Sequence, residues 1–263
     1  MKKYLAIFWL AWKRVLAYKG VSFIYLTLTL LNYGLNLAVW SVAYQNPLSQ
    51  PSAPFSIFIQ YFTIVLIINQ LVTSFTAGVI AEEHIKCGEL SAYLLKPFPY
   101  FLYMLILETP WRLFAFFLSV PVMAILIFTF SKFIHIDAHT LLLTVGLIPI
   151  AYFLSFLVQI VFATLTFWFE DTHGTLAILE ILTILFSGSA IPIFFFPPLL
   201  KTISAWLPFQ YSGYFPIMVL VGQLSGAQTW FYFFALLAWV AVLSFVANLF
   251  WKNGLKKYTG EGI

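Results

Sequence analysis

The sequence predicts an all-α polytopic membrane protein with six transmembrane helices. Three observations carry this. The chain is 62% hydrophobic and only 8% charged, where soluble domains carry about 25% charged residues. Its mean hydropathy is +0.97. Its apolar runs are continuous and long enough for the ~20 residues that cross a bilayer, without the alternating ten-residue segments of an outer-membrane barrel. The chain reads as one transmembrane domain over 1–263. Its single cysteine, Cys87, excludes an internal disulfide and a cysteine-rich metal site.

Residues 1–19 open with an amphipathic pattern. At 100° per residue, Lys2, Lys3, Lys13 and Arg14 share about a third of the helix circumference, while Phe8, Trp9, Trp12 and Val15 lie mostly outside it. This is the pattern of a helix lying in the membrane interface, basic residues toward headgroups and aromatics toward lipid. Lys13, Arg14 and Lys19 interrupt the run, and no small-residue cleavage site follows, so the segment reads as retained rather than as a signal peptide.

The first span is expected at 21–44, followed by a proline-bearing loop, Asn46 to Pro54. The second runs over 55–81, with Thr63, Gln70 and Ser74 on one face. Such a stripe makes interhelical hydrogen bonds or lines a cavity. The polar stretch Glu82 to Pro99, EEHIKCGELSAYLLKPFP, is the only long polar interruption in the first half. It is too charged for hydrocarbon and must sit at a membrane face. Glu82 to Leu95 contains no proline and is expected to form a short helix stopped by Pro97. It is either a solvated loop or a handle for a partner protein.

The third span, 101–130, carries Glu108 and Arg112 at i,i+4, the spacing of an ion pair. Pro110 and Pro121 kink it or mark its start. In the loop that follows, His135, Asp137 and His139 alternate, and an extended backbone would put all three on one side. Three candidate ligands without a fourth make a weak metal site, and no metal is assigned. The fourth span is expected at 141–169, then a polar turn of Glu170, Asp171 and His173, then a fifth span at 175–196 with Glu180 inside it. The segment from Ser187 to Gln228 is rich in proline, glycine and aromatics with one charge, Lys201. It is too broken for a spanning helix and too apolar for a free loop, so it must be buried in protein or line a cavity. Two short helices dipping into the membrane, about Pro198–Trp206 and Tyr214–Leu224, fit it. The last span is expected at 230–251, with a basic tail.

With the N-terminus inside, only Lys132 and Lys201 among the 13 Lys and Arg residues lie outside. This positive-inside bias puts both termini and Glu82–Pro99 in the cytoplasm and the broken aromatic segment on the outer side of a cell membrane. The chain has no GxxxxGK[ST] phosphate loop, no HExxH and no GxSxG.

Glu82, Glu83, Gly88, Glu89, Leu94, Leu95, Lys96 and Pro97 resemble the cytoplasmic signature of type-2 ABC export permeases. The segment with Ser187, Gly188, Pro192, Phe196 and Pro197, then Trp206-Leu207-Pro208-Phe209, Tyr214, Pro216 and Gly222, resembles the outer run of that family's six-span branch, which works with a separate ATPase. Gly254 to Gly260 is similar to that branch's ending. Cys87 departs from the small polar residue common before the glycine.

The resemblance implies a permease subunit that pairs with a second permease subunit, identical or related, and with two ATP-binding subunits, in contact with membrane lipid and with no nucleic acid or cofactor of its own. It is not an enzyme by itself, since hydrolysis belongs to the partner. The ATPase-coupling residues would be Glu82, Glu83, Lys86, Gly88, Glu89, Leu94, Leu95 and Pro97. Thr63, Gln70, Ser74 and Ser187 would line the path, and Pro197, Trp206, Pro208 and Phe209, within a re-entrant segment 197–224, would form an outer gate. The alternatives are an ion-coupled secondary transporter using Glu180, with Glu108 the other buried acid, and a membrane enzyme built on His135, Asp137 and His139.

Overall fold

The computed structural model describes residues 2–45, 54–169 and 173–260. Among them every regular element is helical. The expected loop Asn46–Pro54, apart from Pro54, and Glu170 and Asp171 of the expected turn lie outside the described residues.

Helix α1 (Lys2–Ala17) leads into α2 (Lys19–Gln45), followed by α3 (Phe55–Val72), α4 (Thr76–Lys86), α5 (Leu90–Leu94), α6 (Tyr100–Thr129) and α7 (Ala138–Thr164). The chain continues with α8 (His173–Phe186), α9 (Pro198–Ala205), α10 (Phe209–Ser212), α11 (Tyr214–Val221) and α12 (Gly226–Leu255). Among the described residues five segments, against the six spans expected, are long and apolar enough to cross a membrane: Gly20–Gln45, Phe55–Lys86, Tyr100–Thr129, Ala138–Phe167 and Gly226–Leu255.

Helix ends follow local chemistry. Asp137 caps α7, its carboxylate accepting the His139 N–H at 3.0 Å. His139 therefore sits in a helical first turn, so the extended backbone that would put His135, Asp137 and His139 on one side does not run through all three. Ser225 and Gln228 close a reciprocal capping box on α12. Gly222 ends α11 in the left-handed conformation at φ 74°, which glycine adopts without steric cost. Pro110 and Pro121 lie inside an unbroken α6.

Three expectations are corrected. Helix α8 is 14 residues long, about 21 Å at 1.5 Å per residue, and stops at Phe186 instead of Phe196. Gly188 turns the chain at φ 79°, and Pro192 lies ahead of a single 3₁₀ turn, Ile193–Phe195. Glu82 to Leu95 is not one helix. It is the end of α4, a turn at Cys87–Glu89 with Gly88 at φ 75°, and the one-turn α5. Finally, α1 does not turn Phe8, Trp12 and Val15 to lipid. Tyr4, Ile7, Phe8, Ala11, Trp12 and Val15 form its inward stripe, and Trp12 meets Phe114 of α6 edge-on at 6.5 Å.

The two most buried long helices are α3 and α7. Helix α7 packs against α12, α4, α11, α3, α10 and α8 and is buried almost continuously from Leu154 to Thr164. The core divides into lobes. One gathers α3, α8, α11 and the proline-rich segment between them. A second, at the other end, gathers α4, the start of α6 and the end of α12. Helix α7 runs through both. Helices α2, α6 and α12 present broad apolar faces outward, among them Leu28, Leu35, Phe128, Phe234 and Phe245.

The α10–α11 junction has no room to spare. A Cβ on Gly213 would lie 2.7 Å from both Cβ and the carbonyl oxygen of Ser187. Gly146, on the exposed side of α7, has nothing within 4 Å. Gly213→Ala should therefore destabilise the solubilised protein by about 1–3 kcal/mol, read as a lower thermal midpoint, whereas Gly146→Ala should leave the midpoint unchanged or raise it.

Candidate functional site

The polar stretch folds into an elbow at one end of the bundle. Ala77, Ala81 and Ile85 recur every four residues and give α4 one buried face, which packs on α7. Gly78 lets the two helices close: a Cβ there would lie 2.5 Å from Gln159 Oε1 and 3.4 Å from the Gln159 carbonyl. Past Gly88, α5 plugs the turn with Leu90, which is fully buried, and Ser91 Oγ donates to the Gly88 carbonyl.

Three other parts of the chain seat the elbow. From α6, Tyr100 OH lies 2.9 Å from His84 Nδ1, and the His84 ring stacks on Tyr93 at 4.3 Å. From the tail, Tyr258 OH accepts the Ser91 N–H at 3.2 Å, while Trp251 stacks on Tyr100 at 4.9 Å. From α1, Lys3 Nζ donates to the Pro97 carbonyl. Lys96 sits 3.9 Å over the Tyr93 ring, a cation–π contact that holds the ammonium on the outside of the elbow.

The expected coupling residues divide sharply. Glu82 is 1% exposed and pairs with Lys86 at 2.7 Å, so it belongs to the seat of the elbow. Glu83, Glu89, Leu94, Leu95 and Pro97 are exposed, and Gly88 and Lys86 are half-buried. Leu95 is 88% exposed at the tip. The outer surface is an apolar knob, Leu94-Leu95 and Pro97, flanked by two acids. It carries no nucleophile–base pair, and among the described residues no group of three or more His, Cys, Asp or Glu could hold a metal.

The expected path residues are engaged within the chain. Thr63 Oγ1 donates to the Ile59 carbonyl at 2.9 Å and lies 3.1 Å from Tyr33 OH. Ser187 Oγ is 2.7 Å from Ser189 Oγ. Gln70 lies half-buried in a crevice between α2, α3 and α6 with Thr29 and Ser119. Ser74 lies beyond the end of α3, so the expected stripe is broken before it. Its N–H donates to Ser155 Oγ at 3.0 Å and its hydroxyl to Glu108 Oε2 at 2.7 Å. Glu108 pairs with Arg112 at 2.9 Å, as its spacing predicts, and accepts from Tyr152 OH at 3.4 Å. Ser155, Tyr152 and the helix break at 73–75 escape sequence reasoning. The one signal present is the polar Thr73-Ser74 pair within an apolar run.

At the other end, the expected gate residues separate. Trp206 is 77% exposed and Pro197 is exposed, while Pro208 and Phe209 are buried. All eight residues of α11 are buried, and α9 is mostly exposed. Both short helices fall where the sequence expects them. Glu180 is exposed on α8, and His135, although exposed, contributes its carbonyl to Gln60 Nε2 at 2.7 Å.

The family profile described as ABC-2 family transporter protein matches residues 30–262, the span that contains the elbow, both lobes and the tail that seats it. No curated protein and no solved structure matches significantly. A match over most of the chain, on an all-helical bundle with long apolar helices, shows that the chain belongs to the ABC-2 transporter family as a membrane permease subunit.

Proposed function

We propose that this permease is the membrane half of an ATP-driven exporter, paired with a second permease subunit and served by two separate ATP-binding subunits. The carrying observation is the elbow: a rigidly seated turn that presents an 88% exposed Leu95 beside Leu94 and Pro97. An apolar knob on a fixed base fits a groove in a partner protein, where a few desolvated anchors carry most of the binding energy. The charge bias supports a cytoplasmic position for the elbow and for both termini. The bracing by α1, α6 and the tail means that a push on the tip reaches three helices at once.

At the opposite end, α9 to α11 form the outer segment. Helix α8 is too short to span ~30 Å of hydrocarbon alone, and in this reading residues 187–197 complete its crossing. The exposed α9, with Trp206 at its end, and the buried Pro208–Phe209 corner make a re-entrant outer gate. The ion-coupled reading built on Glu180 finds no support in the family match.

Two experiments test the elbow. Purification of the tagged permease from its native membrane should bring down a stoichiometric ATP-binding subunit. Leu95→Asp should weaken that association about thirty-fold, the loss expected for an anchor worth about 2 kcal/mol, with insertion unchanged. Undiminished recovery would remove Leu95 from the interface.

The acids should separate by burial. Glu82→Gln leaves Lys86 without its partner inside the fold and should lower thermal stability by a few kcal/mol, in the range of about 3–5 kcal/mol seen for broken buried pairs. Glu83→Lys with Glu89→Lys should keep the thermal midpoint and weaken recovery of the ATP-binding subunit. Equal stability losses in both variants would contradict this division.

A further inference from the structure

The apolar segment Phe55–Lys86 is long enough to cross a membrane as one helix, yet α3 ends at Val72 and α4 begins at Thr76. No proline or glycine lies at the break. Thr73 is extended at φ −72°, ψ 121°, and Phe75 lies at φ −126°, ψ −33°. A backbone group freed in hydrocarbon costs several kcal/mol unless it finds a partner. Here the partners come from other helices: Ser155 of α7 takes the Ser74 N–H, and Glu108 of α6 takes the Ser74 hydroxyl. Arg112 and Tyr152 fix Glu108 in turn. Ser74 is fully buried and Glu108 is 5% exposed.

A second observation points the same way. The break falls where the core divides. The α3 half sits in the lobe of α8 and α11, and the α4 half sits in the lobe that seats the elbow. One span therefore contributes its two halves to two different core clusters, and a polar layer lies where they meet.

We infer that Thr73–Phe75 is a latched hinge and that Glu108 is the positioning residue that holds it. The segment has two states in which its backbone is satisfied. In the broken state, Ser74 pairs with Ser155 and Glu108. In the continuous state, the Ser74 N–H returns to the Gln70 carbonyl four residues earlier. Exchange between them re-aims α4 and the elbow relative to α3. Any ligand that favours one orientation of the elbow shifts this equilibrium by its differential affinity for the two states. This rests on the proposed docking role of the elbow for its biological use, though not for its existence.

The test uses the sole cysteine, Cys87, exposed beyond α4, and a second introduced by Ser56→Cys in the first turn of α3. Both carry spin labels, and the full-length protein is held in lipid nanodiscs. An unbroken helix places the two positions roughly 46 Å apart. Wild type should depart from that distance. Ser74→Ala, which removes the latch hydroxyl, and Glu108→Gln, which removes the charge, should each shift the distance distribution toward the unbroken value. Ser74→Thr, which keeps the hydroxyl, should restore the wild-type distribution. If one variant does not fold, the other is read alone. Distributions identical to wild type in every folded variant would overturn the hinge. In the complex with the ATP-binding subunits, trapping with ATP and vanadate should shift wild type between the same two distances. If only this last arm fails, the hinge stands and its coupling to the ATP-binding subunits is refuted; the docking role itself is read from recovery of the ATP-binding subunit.

Discussion

A helix that breaks inside a membrane must find partners for its freed backbone elsewhere in the chain, and this constraint organises the molecule. The chain interrupts its helices at 73–75, at 187–197 and at 206–208. At the first break, Ser155 and Glu108 receive Ser74. At the second, Tyr61 OH donates to the Gly188 carbonyl at 3.0 Å, and Asn69 Nδ2 donates to Ser189 Oγ at 3.1 Å. At the third, Tyr211 OH donates to the Ala205 carbonyl at 2.7 Å. Helix α3 serves the second break, and α7 the first. These two helices are therefore the most buried of the long ones, and the other long helices can spend their outer faces on lipid.

The ion pair of Glu108 and Arg112 belongs to the same account. A lone buried carboxylate is strongly disfavoured. Here it receives hydrogen bonds from Arg112, Ser74 and Tyr152, so most of its lone-pair capacity is met. The pair and the break stabilise one another: the break presents a hydroxyl to the carboxylate, and the carboxylate gives the break a reason to stay open. Below it, Gly78 lets α4 approach α7 closely at Gln159. Only the elbow beyond Gly88 projects, which makes a small exposed apolar tip mechanically continuous with a large buried base. The acids of one short stretch thus take different tasks, Glu82 inside the seat and Glu83 and Glu89 on the surface.

The membrane character, the helical class, the extents of the long helices to within a few residues, the Glu108–Arg112 pair and the two short helices at 198–205 and 214–221 were legible in the sequence. All depend on local signals: apolar run length, i,i+4 spacing, prolines and glycines. The inward stripe of α1 was misread because the basic residues dominate its helical wheel, whereas the position of α6 decides which side is covered.

The sequence by itself determined what must lie in hydrocarbon and where helices start and stop when a side chain at the end caps, turns or blocks them. Tertiary structure alone decided the break at Thr73–Phe75, the burial of Glu82 beside the exposed Glu83, and the division of the core into separate lobes. The physical reason is that burial is set by contacts between distant parts of the chain: Ser74 is received by Ser155 and Glu108, and Glu82 is buried where α4 packs with α6 and α7. Neither composition nor periodicity records which residues meet.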